Sequence, residues 1–175
     1  NKYAYISALQ SNGQTDQALD VMNEILLKFP KNLILNITKS EILLSGQRLD
    51  EAEDNIEQVL NISPGNYPAS IIKARILSSK KEFIKAEEIL RDLLITKNRD
   101  PSLWMQLSEI QRAGKNIIGY HLSRGEYYTL IGDFDNALNQ FQFALSLSGN
   151  SFQTSETIMT KIKLAKDRLG RRRGF

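Results

Sequence analysis

Ala18, Ala52 and Ala86 stand 34 residues apart, and Ala137 follows 51 residues after the third. Each sits in a run whose apolar residues recur at three- and four-residue steps. The clearest run, residues 132–145, begins at Gly132-Asp133 and places Phe134, Ala137, Leu138, Phe141, Ala144 and Leu145 on one helix face. The earlier runs carry Ile25-Leu26, Val59-Leu60 and Leu93-Leu94 at matching places, and Pro30 and Pro64 close the first two. A fixed period this long means a supersecondary unit stacked on copies of itself.

A period of 34 with a mid-unit alanine, apolar pairs and a closing Pro-x-Asn resembles the tetratricopeptide repeat over nearly the whole chain. Trp104, Gly125, Tyr128, Gly132, Ala137 and Ala144 also fall where that family favours such residues. The resemblance implies an all-α tetratricopeptide-repeat superhelix of about ten antiparallel helices with a C-terminal capping helix. Ala18, Ala52, Ala86 and Ala137 are then the repeat-packing residues, small enough for close helix approach.

The expected domain covers 1–169, with hairpins near 2–28, 33–62, 68–96, 101–131 and 117–147, a cap at 154–169 and a basic frayed tail at 170–175. The third hairpin is the most degenerate, with Lys80-Lys81 in its turn and Lys97-Asn98-Arg99-Asp100 in place of the closing proline. Beyond it the phase slips by 17 residues, so the helix near 117–131 must serve both the hairpin before it and the one after. In the cap, Ile158, Ile162, Ala165 and Leu169 form the apolar face that an end repeat needs to cover its neighbour.

At 175 residues, 41% hydrophobic and 25% charged, the chain has the composition of a soluble globular domain. No apolar run is long enough for a membrane span, and the start lacks a signal-peptide layout. It begins inside a repeat helix, so a segment of a longer polypeptide is expected. The absence of cysteine suits a periplasmic and a cytosolic domain equally. Residues 161–175 carry a net +6 against +3 for the whole chain, so the repeats are net −3 and offer no broad basic face for nucleic acid.

Catalysis within this chain meets shortages. With no cysteine and His121 as the one histidine, neither a Cys-His pair nor a two-histidine zinc site can form, and no phosphate-binding or nucleophile-elbow motif occurs. Glu87-Glu88 and Asp133-Asp135 read as solvated faces and helix-start charges. His121 reads as a packing or capping residue, with a contact to a partner as the alternative. Arg171-Arg172-Arg173 reads as a solvated tail, with a phosphate or anionic-lipid contact as the alternative.

The first helices of the hairpins line the groove in this architecture. The 34-residue register aligns Tyr3, Ile37, Ile71 and Met105 there, with Glu41, Arg75 and Glu109 one turn further on. An apolar ladder beside a charged one suits an extended or helical partner segment. The alternative is burial of the ladder by neighbouring hairpins. The Lys and Asn residues of cytosolic chaperone-tail binders are missing from these places.

Residues 103–110, Ala113-Gly114-Lys115, His121-Leu122-Ser123-Arg124-Gly125-Glu126-Tyr127-Tyr128 and 131–137 together resemble the C-terminal region of the β-barrel assembly-enhancing proteases. The likeness covers about residues 3–168. Those are periplasmic zinc metallopeptidases with a His-Glu-x-x-His domain ahead of tetratricopeptide repeats. The resemblance implies a periplasmic, non-catalytic interaction module, with no cofactor in this chain and zinc held by a protease domain outside it. Implied partners are that protease domain and the outer-membrane barrel assembly machinery or barrel substrates, in assembly and quality control. The alternative is a free-standing tetratricopeptide adaptor in envelope or pilus assembly.

Overall fold

The computed structural model describes residues 2–149 and 151–173. The described residues form ten α-helices and no strand. In order these are α1 (Lys2–Ser11), α2 (Thr15–Lys28), α3 (Leu33–Ser45), α4 (Leu49–Ile62), α5 (Tyr67–Ser79), α6 (Phe83–Thr96), α7 (Pro101–Ala113), α8 (Ile117–Leu130), α9 (Phe134–Leu147) and α10 (Phe152–Arg173). The chain divides into two compact units, residues 1–82 and 83–175. The division falls at the end of the charged turn Lys80-Lys81-Glu82, inside the third hairpin, whereas the repeat pattern alone suggests one continuous domain.

In the first unit α1 packs on α2, α2 on α3, α3 on α4 and α4 on α5, and α3 also lies beside α5. Its core holds Ile6, Leu9, Ala18, Met22, Ile42, Leu43, Ala52, Ile56, Ala69, Ile72 and Ile76, all at most 4% exposed. In the second unit α6 packs on α7, α8 on both α7 and α9, and α10 on α9. Here Ala137, Phe141, Ala144, Ile158 and Ala165 close the α8, α9 and α10 end. The four repeat alanines at 18, 52, 86 and 137 are each 0% exposed.

The local code that starts and stops these helices also runs at 34. Asn32, Asn66 and Asp100 are the N-caps of α3, α5 and α7, accepting from the backbone N–H of Leu35, Ala69 and Ser102. Each such cap contributes about 1 kcal/mol. The last residue of the closing Pro-x-Asn therefore belongs to the next repeat. Where the third proline is missing, Trp104 Nε1 donates to the Asn98 carbonyl at 2.8 Å and ties the turn down instead.

The turns within hairpins follow the same period. Gly13, Gln47, Lys81 and Lys115 all have φ between +59° and +71°, and Gly132 takes that conformation, at +79°, in the last hairpin. Three of the five left-handed positions are thus filled by residues with a Cβ, a strained choice. Gly46, which the sequence places in its turn, is not one of them: its φ is −81°. Its smallness serves packing, since a Cβ there would overlap Thr15.

Two expectations change at the C-terminus. The closing helix is longer than 154–169, running from Phe152 to Arg173. Arg171-Arg172-Arg173 are therefore helical, not a frayed tail; Gly174 and Phe175 lie outside the described residues. A single glycine costs a helix only about 1 kcal/mol relative to alanine, so Gly170 does not stop it. On α10 Ile158 and Ala165 are buried, Ile162 packs on the core, and Lys161 pairs with Glu126 of α8.

Candidate protein-binding site

The expected groove residues fall in both units. In the first unit Tyr3 is exposed, while Ile37 and Ile71 are half-buried; Ile37 packs against the core of that unit. One turn beyond them Arg75 Nη1 of α5 lies 3.8 Å from Glu41 Oε1 of α3. The 34-residue register thus makes true neighbours of residues 41 and 75. Both side chains are about half exposed, so the pair is worth little to stability. It leaves neither charge free.

In the second unit Met105 is half-buried on α7 and Glu109 is exposed. Glu109 is neutralised within its own helix, where Arg112 Nη2 donates to its carboxylate at 2.6 Å. Glu87 is not part of a solvated face: its side chain is only 13% exposed and it accepts from Gln111 at 3.1 Å, from Asn116 at 3.2 Å and from Arg91. Gln111 in turn accepts from the Ser123 hydroxyl at 2.7 Å. This buried polar chain fastens α6, α7 and α8 together, which sequence spacing alone does not reveal. Asp133 is the N-cap of α9.

His121 Nδ1 lies 2.9 Å from Gln140 Oε1, and its ring stacks on Phe143 at 5.3 Å between centroids. These contacts tie α8 to α9 and make it a packing residue. Among the described residues no group of three His, Cys, Asp or Glu is placed to hold a metal ion. No helix among them is long and apolar enough to cross a membrane.

The residue that the sequence reading passes over is Arg124, three residues beyond His121 on α8. It is half-buried. Nη2 donates to the Tyr128 hydroxyl at 2.7 Å, and Nη1 reaches Met105 Sδ at 3.2 Å, a weak acceptor. The guanidinium lies 5.0 Å from the centre of the Tyr128 ring and 6.0 Å from that of Tyr127. Nε is buried and has no partner. No carboxylate among the described residues pairs with this cation. Met105, expected on the groove by register, is therefore beside an unneutralised charge. The one sequence signal for it is Arg124 and Tyr128 at i and i+4 on a helix with few acidic residues.

Residues 43–110 match the tetratricopeptide repeat family. A tetratricopeptide repeat protein from Parabacteroides merdae ATCC 43184 has a similar structure, with TM-score 0.57, 19% identity, and 92% of this chain and 68% of that chain covered. MamA from residue 41 to its end, of Desulfovibrio magneticus RS-1, gives TM-score 0.64 at 12% identity over 95% of this chain and 92% of that one. A thermophilic tetratricopeptide-repeat protein of Thermus thermophilus gives 0.56 at 15% identity over 93% and 97%. No curated protein matches the sequence. The chain has the fold of a tetratricopeptide-repeat domain, an all-helical scaffold that is typically non-catalytic and binds partner proteins.

Proposed function

We propose that this chain is the interaction module of a periplasmic metallopeptidase or chaperone that acts in the assembly and quality control of outer-membrane β-barrel proteins. The coarse part of this reading rests on the fold, which presents helix faces to partner proteins. The finer part rests on the resemblance of residues 103–137 to the C-terminal region of the barrel assembly-enhancing proteases. In support, the distinctive helix of that stretch, α8, packs on both α7 and α9, and the 17-residue slip gives it that double role. Its partners would be the protease domain of the same polypeptide and a barrel-assembly component or barrel substrate. Zinc would be held by that protease domain.

In the first unit Ile37 and Ile71, with Tyr3, Glu41 and Arg75, and in the second unit Met105, with Glu109, are proposed to receive the partner, each set within its own unit. Ile71 and Met105 are half-buried, and Ile37, though it leans on the core of its unit, also keeps part of its surface exposed. Anchors of this kind contribute about 2 kcal/mol or more each to an interface. The test is capture of an unfolded outer-membrane barrel precursor by site-specific crosslinking, for the chain and for the triple Ile37→Ser, Ile71→Ser, Met105→Ser variant. Retained helicity with lost capture supports the site; unchanged capture by the folded variant places binding elsewhere.

A free-standing tetratricopeptide adaptor in envelope or pilus assembly is the second reading. A signal sequence and a His-Glu-x-x-His motif in the upstream reading frame would select the first reading over it.

A further inference from the structure

We propose that Arg124 is a receptor for a side-chain carboxylate, supplied by an acidic residue inside a partner segment that lies along α8. The inference deepens the interaction-module reading and rests on it. A guanidinium taken partly out of water needs an opposite charge or a full set of acceptors. Arg124 has neither. Of its five N–H donors, one meets the Tyr128 hydroxyl, one a thioether, and Nε–H meets nothing. The rings of Tyr127 and Tyr128 hold the charge in place without neutralising it.

The chemistry of the ligand follows from the surroundings. Arg112 of α7 is taken by Glu109 and Lys161 of α10 by Glu126, so neither is free to join Arg124. One planar guanidinium matches one carboxylate; a phosphate, with its second charge, calls for more. Aromatic side chains flank the site one turn before it, at Tyr120 and His121, and one turn after it, at Tyr127 and Tyr128. A segment thus finds apolar contacts on both sides of the charge, which suits an internal Asp or Glu between apolar residues better than a chain terminus.

The arginine Nε–Hε resonance of Arg124 is a direct reporter. It is followed by NMR during titration with the blocked tripeptide acetyl-Leu-Glu-Leu-amide, with acetyl-Leu-Gln-Leu-amide, with acetyl-Leu-Leu bearing a free carboxylate, and with inorganic phosphate. The expected result is a saturable shift with the Glu peptide and binding about tenfold weaker or more for the Gln peptide, the scale of a charge-assisted hydrogen bond. Followed through the backbone amide shifts of α8, Glu-peptide binding should be lost in Arg124→Met, while thermal stability stays equal or rises because an unpaired charge is removed from a half-buried place. Equal shifts from phosphate, or tighter binding of the free-carboxylate dipeptide than of the Glu peptide, overturn the assignment. So does no saturable shift, or a marked loss of stability in Arg124→Met, which would make the arginine a structural strut. Barrel-precursor capture that persists in Arg124→Met while the peptide response fails would sink this inference and leave the interaction-module reading intact.

Discussion

Gly125 of α8 faces the ring of Phe141 on α9 so closely that a single added methyl would overlap it. Phe141 is 2% exposed and has little room to retreat. Gly125 therefore sets the spacing of the helix that serves two neighbours. Gly125→Ala should lower stability by about 1–3 kcal/mol despite the gain in helix propensity, because overpacking dominates. Gly170→Ala is the control, since nothing lies near its Cβ position. Urea unfolding of the two variants should move in opposite directions; a stabilised Gly125→Ala would refute the close approach.

The left-handed turns give a second prediction. Lys81 and Lys115 hold φ of +65° and +62°, where a Cβ is strained. Replacement of either by Gly relieves about 1 kcal/mol or somewhat more, partly offset by the greater freedom of glycine in the unfolded chain. Lys81→Gly and Lys115→Gly should each raise the melting temperature, while Gly13→Ala should lower it. If both lysine variants melt below the parent, the strain argument fails.

The helix count and the 34-residue order were legible because apolar spacing and cap residues act locally and repeat. Pro30, Pro64 and the alanines mark units whose interiors repeat the same contacts. The division after Glu82, the buried chain through Glu87, Gln111 and Ser123, and the isolation of Arg124 were not legible. They depend on which polar side chains meet across helices 12–24 residues apart, and polar residues look alike in sequence whether paired, buried or solvated. The groove register was half legible: it brought Glu41 to Arg75, but could not show that Ile37 leans on the core.

Lys80 occupies the turn position held by glycine at Gly46 and Gly114, and its ammonium meets Asp50 at 2.7 Å and Glu53 at 2.6 Å. Hydrogen bonds to Asp50 and then Glu53 push the Lys80 pKa up from the ordinary lysine value. A raised pKa means that the folded state holds the proton more tightly than the unfolded state. The stabilisation is therefore complete below the unfolded lysine value, about 10.4, and is lost as pH rises through the higher folded one. Lys80→Gln should show a deficit in urea midpoint that is flat across neutral pH and shrinks only above about pH 10. A deficit that shrinks between pH 6 and pH 8 would contradict this account.

Ala137 is 0% exposed on the side of α9 that meets the core, and Asn139, two residues on, is exposed. Two positions about 200° apart on one helix experience opposite environments. Leucine at 137 must find volume in a core already filled by Phe141, Ala144 and Ile158, so neighbours move off their rotamers at a cost of about 1–3 kcal/mol. Leucine at 139 enters solvent, gains slightly in helix propensity and disturbs no contact in that core. Ala137→Leu should therefore unfold at lower urea than the parent, and Asn139→Leu at the same concentration or higher, with far-UV circular dichroism alike in all three. Coincident unfolding curves for the two leucine variants would show that the crossing at Ala137 is loose. The repeat alanines would then lose the packing role that their 34-residue spacing assigns to them.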